Sequence, residues 1–118
     1  MILCYNPPNL SDIDKQKRID FLIDKYMMFF IDESDVITST ETNQKLLRLI
    51  LRKSHIKLFW INSLEDIPFS PTEISELILF CITNDIDFQS QIDGLYFTNG
   101  DIESVYPQIF ERFKQLVK

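Results

Sequence analysis

Glycine and histidine are nearly missing from this sequence of 118 residues, which contains two glycines and one histidine. The phosphate-binding loops of nucleotide sites need several glycines in one short motif, so Gly94 and Gly100 alone exclude a site of that kind. The single histidine, His55, falls in a predicted turn opposite the edge of the sheet where ligands usually bind. An acid–base pair built on histidine is therefore not expected.

Cysteine is also scarce, and its two positions form no metal-binding pattern. Cys4 lies in a predicted strand and Cys81 on a predicted helix, with no CxxC spacing and no cluster of cysteine and histidine. This pattern predicts two reduced structural thiols rather than a disulfide or a zinc site. We expect no cofactor.

Long apolar runs are absent as well. No run approaches the roughly 18 to 20 apolar residues that a membrane span needs. The N-terminus has neither the basic flank nor the small-residue cleavage site of a signal peptide, so we expect a cytoplasmic protein without a membrane segment. Since 45% of the residues are hydrophobic and 25% are charged, the composition predicts one globular domain over residues 1–118.

Positive charge is in deficit, with 12 Lys and Arg against 18 Asp and Glu and a net charge of −6. Binding to DNA depends on basic groups that neutralise phosphates, so the chain alone is expected to bind DNA weakly or not at all. One local stretch is basic. It comprises Lys45, Arg48, Arg52, Lys53, His55 and Lys57. We interpret it as the solvated C-terminus of a helix rather than as a binding site for phosphate or a partner, because cations are favourable at that end of a helix.

Apolar runs of strand length alternate with helical patterns along the chain. This alternation predicts a three-layer α/β fold with an open, mostly parallel sheet in flavodoxin-like or resolvase-like order and a short edge strand, GLYF. A capping box at Ser70 and Glu73, with Pro71 between them, marks the start of the third helix. The predicted strands are 1–5, 27–32, 56–61, 86–91 and 94–97, and the predicted helices are 11–26, 43–53, 71–85 and 101–118.

Acidic residues follow two of the predicted strands. Glu65 and Asp66 come after the third strand, and Asp32, Glu33 and Asp35 come at the end of the second. Ligands of open α/β sheets bind beyond the carboxyl ends of the strands, where oxygen atoms from two loops could hold Mg²⁺. Acids in solvated loops also occur without any such role, which is the simpler interpretation.

The order of elements, with the stretch SLEDIPFSPTEISELILFCITNDIDFQSQIDG, resembles the catalytic domain of small serine recombinases, the resolvases and DNA invertases. LEDIPFS, residues 64–70, stands where the family has L-D-R-L-G-R-S, and DIDFQSQ, residues 85–91, where it has G-I-x-F-x-S-L. CYNPPN, residues 4–9, stands where the family has Y-A-R-V-S. IFERFKQLVK, residues 109–118, resembles the segment that opens the family's long dimer helix, so the resemblance covers essentially the whole chain.

The resemblance also shows what has changed. In the family, a serine after the first strand attacks a DNA phosphodiester, and arginines stabilise the charge on the phosphoryl group. Here Asn9 stands in place of the serine, and Glu65 stands in place of an aspartate. The positions of four family arginines are held by Pro7, Asn43, Asp66 and Phe69. Asparagine has no nucleophilic oxygen, and a carboxylate repels phosphate. The resemblance therefore implies the remains of a phosphate site with reversed charge.

Two classes of function follow. The preferred one is a catalytically inactive regulatory domain, encoded on a mobile element, that acts by binding a protein partner or a second copy. Its expected interaction surface is the last predicted helix, with Val105, Ile109, Phe110, Phe113, Leu116 and Val117. The alternative is an enzyme with a rebuilt site, either a divergent site-specific recombinase with Ser11 as nucleophile or a metal-dependent hydrolase that uses the acidic loops. A phosphate-seeking enzyme should show a basic pocket at the strand ends.

Overall fold

The computed structural model describes residues 1–29 and 31–98, and these form an α/β fold around one five-stranded sheet. The predicted helix at 101–118 lies outside the described residues. The strands are β1 (Ile2–Tyr5), β2 (Val36–Ser39), β3 (Leu58–Ile61), β4 (Asp87–Ser90) and β5 (Leu95–Phe97). The helices are α1 (Asp12–Lys25), α2 (Gln44–Lys53) and α3 (Pro71–Thr83), and short 3₁₀ turns lie at Met27–Phe29, Glu33–Asp35 and Leu64–Asp66.

The sheet has the strand order β2-β1-β3-β4-β5. The pairs β1–β2, β1–β3 and β3–β4 are parallel, and β5 is antiparallel to β4. This is the order of flavodoxin-like sheets, apart from the direction of β5. The four parallel strands begin at one edge, here called the amino edge, and end at the other, the carboxyl edge. The prediction of a mostly parallel α/β sheet with GLYF at its border is confirmed.

Each helix begins at a side chain that accepts hydrogen bonds from its first backbone N–H groups. Ser11 caps α1, Asn43 caps α2, and Ser70 with Glu73 forms the predicted capping box of α3. All three helices therefore start within one residue of their predicted positions. None of the helices in the described part of the chain is long and apolar enough to cross a membrane.

The second strand is not where the sequence predicts it. The apolar run at 27–32 does not join the sheet, because Met27–Phe29 is an exposed 3₁₀ turn and β2 begins only at Val36. Asp32 caps the next 3₁₀ turn, together with Asp35, and this turn leads directly into β2. Unlike 27–29, β2 is rich in β-branched residues, which favour extended backbone beside a paired strand. The prediction for 27–32 is therefore wrong.

The sheet is covered on both faces, since neighbouring strand residues point in opposite directions. Leu3, Tyr5, Phe59, Ile61 and Phe88 face α2 and α3 in the larger core cluster. A smaller cluster on the other face joins strand residues to Leu22 of α1, and the strand residues are Ile2, Cys4, Leu58 and Trp60. The two faces thus place α1 on one side of the sheet and the other two helices on the opposite side.

The two cysteines lie on opposite faces of the sheet and are both buried and free. Burial raises the pKa of the Cys4 thiol to about 11, with a smaller opposing effect of the Arg18 charge. Burial also raises the pKa of Cys81. Both side chains are therefore neutral thiols at physiological pH and serve as small apolar groups in the core.

Candidate functional site

The carboxyl ends of β1 and β3 form the point of the sheet where a ligand would be expected. From β1 the chain goes to β2 on one side, and β3 lies on the other side, so the direction of winding reverses between β1 and β3. Open α/β sheets bind ligands in the crevice at such a reversal. Asn6 follows β1 here, Asn62 follows β3, and Asp66 ends the 3₁₀ turn beyond it.

An arginine from α1 fills this crevice. The Arg18 Nη1 atom donates a hydrogen bond to Asn6 Oδ1 at 3.2 Å and lies 3.2 Å from Asp66 Oδ2. Asp66 Oδ2 nevertheless has no hydrogen bond of normal geometry, so its contact with Arg18 is an ion pair of two close charges. The two side chains are only 16% and 20% exposed. The Arg18 guanidinium, which reaches the crevice, is therefore neutralised within the protein.

Asn6 connects this ion pair to the core. Its side chain is fully buried, and its Oδ1 atom also accepts a weak hydrogen bond from Cys4 Sγ at 3.7 Å. Its Nδ2 atom is buried without a hydrogen-bond partner in the described residues. An unsatisfied buried donor costs about 1–3 kcal/mol, so the Arg18 contact with Oδ1 matters for keeping this amide in place.

The positions singled out by the resemblance do not form one pocket. Asn43 is the N-cap of α2, where its Oδ1 accepts hydrogen bonds from two backbone N–H groups. Phe69 packs against the core, and Glu65 and Asn9 are exposed. Pro7 is half-buried in the loop after β1. Among these positions, Asp66 alone makes a charged contact in the crevice.

Ser11, the alternative nucleophile, is committed to a helix cap. Its Oγ atom accepts a hydrogen bond from the backbone N–H of Asp14 at 3.2 Å and donates one to the Asp14 carboxylate at 3.0 Å. Both contacts are exposed to solvent. They are the contacts expected of an N-cap serine followed by an acidic residue in the first turn.

The two acidic groups proposed as a cation site lie at opposite edges of the sheet. Asp32, Glu33 and Asp35 precede β2 at the amino edge, because the strand begins only at Val36, whereas Glu65 and Asp66 lie at the carboxyl edge. No group of three or more His, Cys, Asp or Glu side chains within residues 1–29 and 31–98 could hold a metal ion. Asp32 instead accepts hydrogen bonds from Ser34, which lower the pKa of its carboxyl group. The two groups of acids therefore do not come together as the alternative of a shared cation site requires.

The basic stretch at the end of α2 makes contacts with α3. The guanidinium groups of Arg48 and Arg52 lie 5.3 and 5.2 Å from the centre of the Phe80 ring, and Arg48 lies 3.9 Å from the Glu76 carboxylate. These are cation–π and surface ion-pair contacts between neighbouring helices. These contacts favour the interpretation of the basic stretch as an ordinary helix end rather than as a phosphate-binding site.

A cavity of about 460 Å³ lies at the amino edge. Its apolar lining includes Met1, Phe29, Ile31 and Leu58. Beside it, the turn at Met27–Phe29 is strongly exposed, with Met28 at 85% exposure.

Comparisons with protein-family models, with curated proteins and with solved structures find no match to this chain. Sequence reasoning found Asp66 but missed Arg18 and Asn6. A polar residue directly after the buried strand at 1–5 was the available signal for Asn6, whereas no local pattern marks the contact of Arg18, which lies 12 residues further along the chain.

The Arg18–Asp66 pair provides a first test of this crevice. We expect Arg18→Met to lower the free energy of unfolding by about 2 kcal/mol, because it leaves a partly buried carboxylate and the Asn6 amide without their partner. The double variant Arg18→Met/Asp66→Asn should lose about 1 kcal/mol less than the sum of the two single variants. Urea denaturation of all four proteins measures this coupling.

The exposed pair Arg48–Glu76, at 3.9 Å, is the matched control. Its coupling should be below about 0.5 kcal/mol, as is typical of surface ion pairs. Equal coupling in the two pairs would show that Arg18 and Asp66 have no special role in the crevice.

Proposed function

We propose that this chain is a catalytically inactive domain of the serine recombinase type that acts by binding protein. The observation that carries the proposal is the ion pair between Arg18 and Asp66 at the reversal point of the sheet. According to the resemblance, Asp66 occupies the position of an arginine that would contact phosphate. A carboxylate at this position repels a phosphodiester and also neutralises the charge of the Arg18 guanidinium.

Loss of catalysis follows from the other substituted positions. Asn9 has no oxygen that can attack phosphorus, and Phe69 packs against the core rather than offering a cation. Loss of one group that stabilises the transition state costs a factor of about 10² to 10³ in rate. Loss of the nucleophile together with several arginines is expected to remove strand cleavage altogether.

Protein binding is supported by the apolar surface at the amino edge. Met27, Met28 and Phe29 are 67%, 85% and 72% exposed beside the 460 Å³ cavity. Flexible methionine side chains adapt well to a partner surface. A surface with this much exposed apolar area is typical of a contact with another protein.

The partner that we propose is a second copy of the chain. The end of β5 lies at the amino edge, because Phe97 pairs with Phe88 near the start of β4. Tyr96 of β5 and Phe29 of the exposed turn line the same cavity at this edge. According to the resemblance, residues 99–118 supply apolar positions for a dimer contact, namely Val105, Ile109, Phe110, Phe113, Leu116 and Val117.

Light scattering at several concentrations tests this assembly. We expect the mass of the wild-type protein to rise with concentration toward twice 14.0 kDa. Met28→Asp and Phe113→Asp should both remain monomeric, because each places a charge in the proposed contact. Ile92→Asp is the control, since Ile92 is 70% exposed in the turn after β4 and should leave the dimer unchanged.

A wild-type mass that stays at that of the monomer at every concentration would contradict the proposed dimer. So would an Ile92→Asp protein that is monomeric like the two test variants. A DNA shift assay at low salt belongs to the same experiment, because the net charge of −6 predicts weak binding of duplex DNA. Tight DNA binding by the isolated chain would contradict the proposal of an interaction module.

A divergent recombinase is the second candidate function. The observation that favours it is the hydrogen bond of 3.0 Å from Ser11 Oγ to the Asp14 carboxylate, which could take up the proton of an attacking hydroxyl. Helix capping explains the same contact without catalysis. A Ser11→Ala variant separates the two interpretations, because only an enzyme would lose a covalent DNA adduct.

A further inference from the structure

A second cavity lies between α1 and the carboxyl ends of β3 and β4, and its volume is about 260 Å³. It exists because the apolar contacts of α1 lie over β1 and β3, as the smaller core cluster shows, whereas the end of the helix meets the strand β4 and its flank through hydrogen bonds from Tyr26 to Gln89 and from Lys25 to Gln91. Its lining comprises Lys17, Arg18, Phe21, Trp60, Asn62 and Gln91.

The polar groups of this cavity offer hydrogen-bond donors. The ammonium group of Lys17 is exposed and has no hydrogen bond or ion pair within the described residues. The Asn62 side-chain amide also has no partner there. The Gln91 oxygen, in contrast, is already occupied, because it accepts from Lys25 Nζ at 3.0 Å and lies 3.4 Å from Trp60 Nε1. Its amide N–H groups therefore remain available to a ligand.

The charge of the cavity differs in sign from that of the whole chain. Among residues 1–29 and 31–98, no carboxylate lines it, whereas two cations do. One of these, Arg18, is balanced by Asp66, whereas Lys17 forms no ion pair with the residues that the structure describes. On a chain with a net charge of −6, a concave site with free donors and a surplus positive charge selects an anion.

The remaining wall is aromatic. The rings of Phe21 and Trp60 lie 5.9 Å apart at an angle of 43°, and Phe21 is 42% exposed. Trp60 is only 1% exposed, so a flat ligand ring would pack on the exposed side of Phe21, at low entropic cost. The volume of about 260 Å³ is below the roughly 300–1,000 Å³ of sites for drug-sized ligands, so the ligand has one ring rather than two.

We propose that this cavity binds a small organic anion with a single flat ring, of which an aromatic carboxylate is the simplest form. The anionic group would meet Lys17 and the Asn62 amide, and the ring would lie against Phe21, whose own ring packs on Trp60. The site goes beyond the proposed protein-binding function, because it lies at the carboxyl edge of the sheet rather than the amino edge and does not depend on a dimer.

Fluorescence offers a direct readout, because Trp60 is the single tryptophan of the chain. We expect titration of the full chain with benzoate, at constant ionic strength, to change this emission saturably with a dissociation constant on the order of 1 mM. Benzamide has the same ring and shape without the charge, and should bind at least about tenfold more weakly. Equal binding of the two compounds would overturn the anion site, as would a response to benzoate that does not saturate.

Two variants and one control assign the binding to this cavity. Asn62→Asp keeps the shape of the side chain but adds a negative charge, and should abolish benzoate binding. Lys17→Gln should weaken binding about tenfold, since it removes a charged hydrogen bond from an exposed residue that the fold does not need. Lys45→Gln changes an exposed lysine on α2, across the sheet, and should bind like the wild type.

Circular dichroism of each variant establishes that it remains folded. Because Lys17 is exposed, Lys17→Gln keeps the test decisive even if Asn62→Asp fails to fold. Wild-type affinity in Lys17→Gln, or an equal loss of affinity in Lys45→Gln, would show that benzoate does not bind in this cavity.

Discussion

Phe59→Ala is expected to lower the free energy of unfolding by about 3–5 kcal/mol. Phe59 has zero exposure in β3, and its ring lies between those of Tyr5 and Phe88 on the neighbouring strands. The ring centres are 6.1 Å and 5.2 Å away, at interplanar angles of 25° and 7°. The substitution removes both ring contacts and leaves a cavity that the rigid sheet cannot collapse to fill.

This row of rings also connects the strands that end at the candidate site. Urea denaturation followed by circular dichroism measures the loss of stability, and Met28→Ala is the control. Met28 is 85% exposed, so its truncation should change the stability by less than about 0.5 kcal/mol. A loss of less than about 1 kcal/mol in Phe59→Ala would contradict the packing of the central sheet described here.

The parts of the fold that could be predicted from the sequence are those specified by short-range interactions. The capping box at Ser70 and Glu73 depends on residues three apart, and the structure forms it as predicted. The same holds for β3, whose apolar run is buried at all four positions. In both cases the neighbours along the chain already determine the local structure.

The second strand could not be predicted from apolar character alone. The run at 27–32 and the strand Val36–Ser39 are both short, and hydrophobicity cannot distinguish a strand from an exposed apolar turn. Pairing with β1 determines which segment becomes the strand, and in this pairing residues Ile2 to Tyr5 lie beside Val36 to Ser39. Pairing between segments more than 30 residues apart leaves no local signal.

The candidate site could be predicted only in part, because it too depends on contacts between distant segments of the chain. The resemblance indicates a carboxylate at Asp66 in place of a phosphate-binding arginine. The partner of that carboxylate, Arg18, becomes visible only when α1 packs across β1 and brings Asn6, Arg18 and Asp66 together. The acidic residues at 32–35 were placed at the wrong edge because the second strand was misplaced.

The absence of DNA strand cleavage is the second large effect that we expect. A serine recombinase forms a covalent bond between its serine and a DNA phosphate, whereas Asn9 cannot form this bond and Asp66 repels the phosphate. No covalent protein–DNA adduct should therefore appear, even at high protein concentration. Ser11 is the N-cap of α1 and hydrogen-bonds to Asp14, so it is not expected to act as a nucleophile.

Adduct trapping is the measurement that tests this central claim most directly. The purified chain is incubated with a supercoiled plasmid library of random inserts, denatured in detergent, and separated on a gel that detects protein attached to DNA. We predict that the wild-type protein and Ser11→Ala give the same result, with no adduct and no cleaved or joined DNA. An adduct that forms with the wild-type protein and disappears in Ser11→Ala would contradict the account and establish a divergent recombinase.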